Sequence, residues 1–429
     1  LQIHVVERND TVSNLAQRYS VPASEIISAN ELPNPDRLVI GQAIVIPITG
    51  RFYWVRPGDS LYSIAQQAGI SYQELARING ISIHQQLRPG LRLYLPPFPK
   101  KRAKFNAYVE PFGNTVSASL ETSARKAAPY LTYLAPFAFR VNRDGTLVAP
   151  PLGNLRAIAD VQNAILMMVI CNQENGQFSD ELGRILLNDE TVQNRFLNEI
   201  VQTASRLGFR DIHFDFEYLR PQDREAYNRF LRKAKTRFSR EGWLMSTALA
   251  PKTSATQAGR WYEAHDYRAH GEIADFVVIM TYEWGYSGGP PMPVSPIGPV
   301  RDVLRYAITE MPPNKILMGQ NLYGYDWTLP YQTGTTARAV SPQQAIRLAG
   351  AHNVPILYNT TSQAPHFDYT DENNRRHTVW FEDARSIEAK FNLLTELGLR
   401  GMSYWKLGLS FPQNWLLITD RFDVVKRPS

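Results

Sequence analysis

The stretch Asp211-Ile-His-Phe-Asp-Phe-Glu217 decides how the rest of the chain is read. Side chains on a strand alternate faces, so Asp211, His213, Asp215 and Glu217 share one face and Ile212, Phe214 and Phe216 the other. Helix-like runs flank it, Phe196–Leu207 before and Gln222–Phe238 after, the second opened by Pro221. A strand between two helices belongs to a parallel sheet covered on both faces, and is normally apolar throughout. Four ionisable groups on one face are costly there unless that face lines a polar cavity. The alternative, an exposed antiparallel edge strand, fits the flanking helices poorly.

Two carboxyls two residues apart on a strand point the same way and lie close enough to couple their titrations. One proton is then expected to stay on Glu217 near neutral pH while Asp215 is charged. A protonated acid beside a carboxylate is the equipment for cleaving an acetal. Asp215-Phe-Glu217 resembles the end of the D-x-x-D-x-D-x-E signature of glycoside hydrolase family 18, the chitinase-like barrels. The signature's first Asp falls on Arg210, its usual Gly on Asp211 and its middle Asp or Asn on His213. Only its last two acidic positions are intact.

The 429 residues are 44% hydrophobic and 20% charged, the balance of an ordinary globular protein. That length suggests roughly two to four domains. No apolar run approaches the ~20 residues of a membrane span, so none is expected. Structured sequence begins at Ile3, so any signal peptide is expected to have been removed or never present. The single cysteine, Cys171, lies in the apolar run Ala164–Cys171 and reads as a buried strand residue. Disulfides are therefore not expected, and cysteine usage leaves the compartment open. A net charge of +6 would favour an anionic polymer, but the basic residues are scattered and no nucleic-acid motif is present. No nucleic-acid partner, metal or cofactor is expected.

The first hundred residues repeat. A shift of 49 positions, with no gap, carries Val6 onto Val55, Asp10 onto Asp59, Asn30 onto Asn79, Gly41 onto Gly90 and Pro47 onto Pro96. Each copy reads as a short strand, a turn (Asn9-Asp10-Thr11 or Gly58-Asp59-Ser60), two short helices and a closing strand, Ala43–Ile46 or Leu91–Leu95. This βααβ pattern resembles the LysM module, which binds N-acetylglucosamine-containing glycans. The resemblance implies glycan contacts at Asp10, Thr11 and Asn30, and at Gly58, Asp59, Ser60, Asn79 and Ile81. A second reading is that Asp and Asn here serve the local fold and cap helices. The expected boundaries are modules at 2–47 and 52–97, a charged linker at 98–103 and a catalytic barrel at 104–429.

Beyond the linker, strand-like and helix-like runs alternate as in an α/β barrel. The expected strands are Phe105–Val109, Leu131–Arg140, Ile165–Cys171, Asp211–Glu217, Leu244–Ala250, Phe276–Tyr282, Lys315–Leu322 and Gly401–Leu407. The expected fold is α/β: a (β/α)8 TIM barrel with a small α+β insertion at about 327–381, preceded by the two βααβ modules. Site residues in such barrels gather at the carboxyl ends of strands, which here offer Glu217, Lys252, Tyr282, Glu283, Asn321, Tyr323 and Trp405. Met280-Thr-Tyr-Glu283 resembles the family's M-x-Y-D, whose tyrosine bonds the substrate acetamide, and Ser403-Tyr-Trp405 resembles the tryptophan flooring the sugar pocket. The resemblance implies that the substrate's own acetamide oxygen attacks C1. Glu217 would protonate the leaving oxygen and then activate water, Asp215 would orient the acetamide and Tyr282 would hold its oxygen. Asn321, Tyr323, Glu283 and His213 are further substrate-binding candidates. His213 has two readings at this point: a partner that tunes Asp215, or a filler of the barrel floor.

Two LysM modules ahead of a family 18 barrel resemble the spore cortex-lytic enzymes of endospore-forming bacteria. That resemblance implies a monomeric N-acetylglucosaminidase of cortex peptidoglycan, associated with the spore wall at the coat–cortex boundary. The alternatives are a chitinase-type hydrolase on another N-acetylglucosamine glycan, and a non-catalytic glycan-binding coat protein. An intact Asp215/Glu217 pair speaks against the last. Deleting residues 1–99 is expected to weaken binding to insoluble glycan while sparing turnover of soluble fragments.

Overall fold

The structure, a computed structural model, describes residues 1–427. The two repeats fold alike. In the first, strands Gln2–Val5 and Ala43–Ile46 pair antiparallel around helices Val12–Tyr19 and Ala23–Asn30. In the second, Arg51–Trp54 and Arg92–Leu95 enclose Leu61–Ala68 and Tyr72–Asn79. Thr11 and Ser60 cap the first helix of each copy, accepting from the amides of Asn14 and Ser63.

The remaining chain is an α/β fold of the TIM type. Lys101–Val109 pairs in parallel with Tyr133–Pro136, and that strand with Ile165–Leu166, which resumes as Met168–Cys171. The ladder continues through Asp211–Asp215, Leu244–Leu249, Phe276–Ile279, Ile316–Asn321 and Gly401–Trp405. The last strand pairs again with Lys101–Val109. Phe214 and Phe216 face outward and pack with Phe196 and Phe230 of helices Glu190–Leu207 and Arg224–Ser239. Each such ring contributes about 1.5–3 kcal/mol by leaving water. This apolar face places the strand between its helices and turns the opposite face, with Asp215, inward.

Several strands are shorter than their apolar runs. The second run breaks into Tyr133–Pro136 and Phe139–Val141, and the sixth and eighth stop at Ile279 and Trp405. The fourth ends at Asp215, so Glu217 stands beyond the strand. The insertion is an antiparallel sheet of Gly324–Leu329, Arg338–Val340, Leu357–Asn359, Ala364–Thr370 and Arg376–Trp380 with the helix Pro342–Ala351. Its first strand starts at Gly324, ahead of the expected 327. A hairpin, Gln173–Glu174 with Gln177–Phe178, was not apparent in the sequence.

Residues 98–103 are not a free linker. Lys101–Ala103 already belong to the first barrel strand and pair with Phe422–Val424. The Phe98 ring lies under the guanidinium groups of Arg51 and Arg421, at 3.8 and 4.3 Å. The charged residues that suggested solvated linker are held by a strand from the far end of the chain.

The first module is fused to the barrel. Ala43 and Val45 lie in the same apolar core as the barrel strands, and Val39 lies in the core of the insertion. Gln413 Nε2 donates to Asn30 Oδ1 and Ala43 O at 2.7 and 2.8 Å, and Gln343 Nε2 to Asn30 O at 2.6 Å. The Ile356 amide donates to Ile40 O at 2.8 Å. Deleting residues 1–99 would therefore strip a wall from the barrel's core, and soluble turnover is expected to fall with it rather than be spared.

The two equivalent glycines test this asymmetry. Gly41 and Gly90 have φ of 82° and 86°, but a Cβ on Gly41 would stand 1.8 Å from Ile356 O, whereas at Gly90 it meets nothing within 4 Å. Gly90→Ala should cost about 1–2 kcal/mol from positive-φ strain alone. Gly41→Ala should cost about 1–3 kcal/mol more, from forcing the module off the insertion. Chemical unfolding of the two variants side by side measures the difference; equal losses would show the contact to be slack.

Candidate active site

The inner carboxyl ends of the barrel strands open into a cleft of about 670 Å³. Asp215, Glu217, Tyr282, Glu283, Tyr323 and Trp405 all line it, so the structure brings six of the residues singled out in the sequence into one space. Asp215 is the last residue of its strand, opposite Cys171. Beyond it the Asn172 side chain takes over the ladder's role. Its Oδ1 accepts from the Glu217 amide and its Nδ2 donates to the Glu217 carbonyl, both at 2.9 Å. That clamp ends the strand and presents the Glu217 side chain to the cleft.

Asp215 and Glu217 both line the cleft, and both carboxyls are buried. Burial raises both pKa values, and the charge on Asp215 raises that of Glu217 further. The pair therefore keeps a proton into the neutral range, and the larger upward push falls on Glu217. Trp261 Nε1 donates to Glu217 Oε2 at 2.6 Å and pulls the Glu217 value back down.

Trp405 is enclosed by Phe137 and Tyr108, with ring centroids 4.9 and 5.4 Å away in edge-to-face arrangement. These neighbours hold the indole as an apolar platform, suited to the C–H face of a pyranose. Tyr282 lies buried at the cleft wall, its hydroxyl pKa driven upward by burial. Glu283, at φ 66°, accepts on Oε1 from the hydroxyls of Tyr323 and Tyr325. Burial raises its pKa and those two hydrogen bonds oppose the rise. At the rim, Lys406 is paired with Glu110.

Known families enter against this geometry. The model of the family described as Glycosyl hydrolases family 18 matches residues 106–409, and that of the LysM domain matches 4–47 and 53–96. The chain belongs to glycoside hydrolase family 18. It is a glycoside hydrolase with two LysM modules. It is 68% identical over 428 residues to the cortical fragment-lytic enzyme of Bacillus subtilis (strain 168), covering 100% of this chain and 99% of that protein. The enzyme of that name from Bacillus anthracis is 50% identical over 429 residues, covering 100% of both chains. Among solved structures, the Bacillus megaterium QM B1551 spore cortex-lytic enzyme SleL superposes with a TM-score of 0.92 at 56% identity, covering 100% of this chain and 99% of that one. A chitinase from Chromobacterium violaceum, 22% identical, covers 74% of this chain and 98% of its own with a TM-score of 0.68, and shares the fold.

Other residues singled out in the sequence lie elsewhere in this family 18 fold. His213 is fully buried beneath the cleft, bonded to Tyr108 Oη at 2.9 Å and Ser246 Oγ at 2.8 Å. Burial lowers its pKa to about 3, so it is neutral, and it fills the barrel floor and holds Tyr108 rather than bonding Asp215. Asn321 is also fully buried and is not part of the cleft lining; its Nδ2 donates to Tyr323 O at 2.7 Å and positions that tyrosine. Lys252 lies behind the cleft, donating to His265 O at 2.8 Å.

In the modules, Asn30 and Asn79 bridge helix to closing strand with the same three bonds. Each donates to the carbonyl four residues back (Ile26 or Leu75) and to a strand carbonyl (Val45 or Tyr94), and accepts from that strand amide, all at 2.7–2.9 Å. Both side chains are spent on the fold. Asp10 and Asp59 close the turns by accepting from the Glu7 and Arg56 amides at 2.8 and 2.7 Å. Ile81 is half-buried against the second module's core, while Gly58 and Ser60 are exposed.

Sequence reasoning missed Asn172, Trp261, Tyr325 and Tyr108. Tyr108 and Asn172 sit at or just past strand ends, and that position could have flagged them. Trp261 lies in a loop, where no periodicity points at the cleft, and Tyr325 lies in the first strand of the insertion, ahead of its expected start.

Asp211, at the opposite end of the strand, is buried with Oδ1 unpartnered, and burial raises its pKa to about 6 while Lys104 opposes the rise. Its folded pKa lies above its unfolded value of about 3.9, so the native state binds the extra proton and stability falls as pH climbs from about 4 to about 6. Asp211→Asn should therefore gain about 1–3 kcal/mol near neutral pH and almost nothing near pH 4. Urea unfolding at the two pH values reads this out; a loss at neutral pH would mean that the charge is held favourably.

Proposed function

We propose that this chain is a retaining, substrate-assisted β-N-acetylglucosaminidase of spore cortex peptidoglycan, cutting on the reducing side of N-acetylglucosamine. The observation that carries the reading is the buried Asp215–Glu217 carboxyl pair lining one cleft with the Trp405 platform. The full-length similarity to enzymes named cortical fragment-lytic supports the substrate and the spore wall as the place of action. Family 18 chemistry uses no protein nucleophile, so the acetamide of the substrate closes on C1. Glu217 gives its proton to the leaving oxygen and then takes one from water. Asp215, charged, steadies the positive charge that grows on the acetamide nitrogen, and Tyr282 offers its hydroxyl to the acetamide oxygen. Of the two modules, the second keeps its turn residues Gly58, Asp59 and Ser60 clear of the barrel and is the one that holds insoluble glycan.

The sugar left of the cut must carry an N-acetyl group at C2. A muramic δ-lactam has that nitrogen tied into a ring, and the O3 lactyl group of muramic acid adds bulk where the pocket is floored by Trp405. N-acetylglucosamine meets both demands. Products from purified cortex fragments should end in N-acetylglucosamine by mass spectrometry, with the β-anomer formed first. Products ending in muramic acid, or an α-anomer appearing first, would overturn the assignment.

Glu217→Gln keeps shape and removes the transferable proton, and should lower kcat by roughly 10²–10⁴-fold with little change in thermal midpoint. The rate profile of the unaltered enzyme should be bell-shaped. It falls at low pH as Asp215 takes a proton and at high pH as Glu217 loses one, with both limbs above the ordinary carboxylate range because burial raises both groups. Undiminished turnover by Glu217→Gln would remove Glu217 from the mechanism.

A further inference from the structure

Glu217 has two carboxyl oxygens, and one is already committed. Oε2 accepts the indole N–H of Trp261 at 2.6 Å. An indole N–H is a donor only, so Oε2 remains an acceptor in either protonation state of the acid. The carbonyl oxygen of a protonated carboxyl is its stronger acceptor, so this bond favours Oε2 as the carbonyl oxygen and Oε1 as the one that carries the proton the reaction needs.

The loop that brings Trp261 here is braced against the strand that carries Glu217. The His265 Nδ1 accepts from the Ala250 amide at 2.8 Å, which leaves Nε2 as the protonated nitrogen, donating to Phe216 O at 2.8 Å. Lys252 Nζ closes the loop on His265 O at 2.8 Å. The backbone just before Glu217 and the base of the Trp261 loop are thus one unit. The Trp261 ring also lies parallel to that of Tyr218, with an interplanar angle of 11° and centroids 6.2 Å apart, and both line the cleft. Asp215, which serves the acetamide of the sugar being cut, lines the same cleft, and Trp261 bonds the Glu217 carboxyl. Trp405 pairs instead with Tyr108 and Phe137, so the cleft holds two separate aromatic surfaces, and the Trp261–Tyr218 surface is the one tied to the Glu217 carboxyl.

We propose that Trp261 is a positioning residue for this hydrolysis: its N–H fixes Oε1 as the oxygen of Glu217 that carries the transferable proton, and its ring, with that of Tyr218, supports the leaving sugar. This rests on the reading of Glu217 as the acid. The titratable groups facing Glu217 are Asp215 at the end of the strand before it, Tyr108 and Cys171 from other strands, Tyr282 past the end of the sixth, Tyr218 beside it and Tyr227 from the following helix. Burial raises the tyrosine and cysteine values, so these groups stay neutral across the working range and the pH profile reports the carboxyl pair and the indole bond.

The test compares Trp261→Phe and Trp261→Ala with the unaltered enzyme on soluble cortex fragments, with Glu217→Gln as control. Loss of a donor to the carboxylate disfavours its charged form, so Trp261→Phe should move the alkaline limb of the kcat/KM profile up by about one pH unit. It should lower kcat by about tenfold and leave KM within about twofold, because a ring remains. Trp261→Ala should show the same limb shift together with a raised KM. An unshifted limb in Trp261→Phe, with Glu217→Gln inactive, overturns the role of the N–H alone, even if the thermal midpoint drops. A KM in Trp261→Ala equal to that of Trp261→Phe overturns the role of the ring. Turnover by Glu217→Gln overturns instead the assignment on which this inference rests.

Discussion

Two buried carboxyl groups side by side in one cleft do not both ionise readily, and the rest of the cleft follows from that constraint. Among the described residues no cation is paired with Asp215 or Glu217, and Lys406 in the cleft lining is held by Glu110. The pair relieves its burial by keeping a proton, which is what a hydrolytic acid requires. Neighbouring groups leave that arrangement undisturbed. His213 is buried to neutrality, and Glu283 accepts two tyrosine hydroxyls on Oε1. Asn172 fixes the backbone of the acid from one side, and Trp261 fixes one of its oxygens from the other.

The same sequence unit serves two purposes in the amino-terminal repeats. Both copies use an asparagine to lock helix to strand and a positive-φ glycine before the closing strand. In the first copy the asparagine also receives Gln413 and the glycine packs on Ile356, so the module becomes part of the barrel wall. In the second copy the equivalent glycine faces open space. The internal hydrogen bonds of the module do not distinguish the two outcomes. The residues that do, Gln343, Ile356 and Gln413, lie more than three hundred positions away in sequence.

The residues from Asp211 to Glu217 fixed much in advance, because strand alternation is a local rule. Phe214 and Phe216 had to meet helices, and the acidic face had to meet a cavity. The repeat was equally plain, since a gapless shift of identical turn and core residues leaves little choice of local fold. Tyr282, Glu283, Tyr323 and Trp405 were found because strand ends are marked by the cessation of apolar runs. The roles of His213 and Asn321 were not legible, because a side chain at a strand end can point into the cleft or beneath it, and only the packing around Tyr108, Ser246 and Tyr323 decides which. Trp261 was silent for a further reason. It sits in a loop without periodicity, and its meeting with Glu217 depends on how the chain returns after the fifth barrel strand, where His265 ties that loop to Phe216. The sequence by itself determined the modules, the alternation of strands and helices and the acidic pair, all of which depend on neighbours a few residues apart. Which oxygen of the acid is left free, which module is bound to the barrel and which polar residues reach the cleft were decided by the tertiary structure, because each depends on contacts between segments that no local pattern brings together.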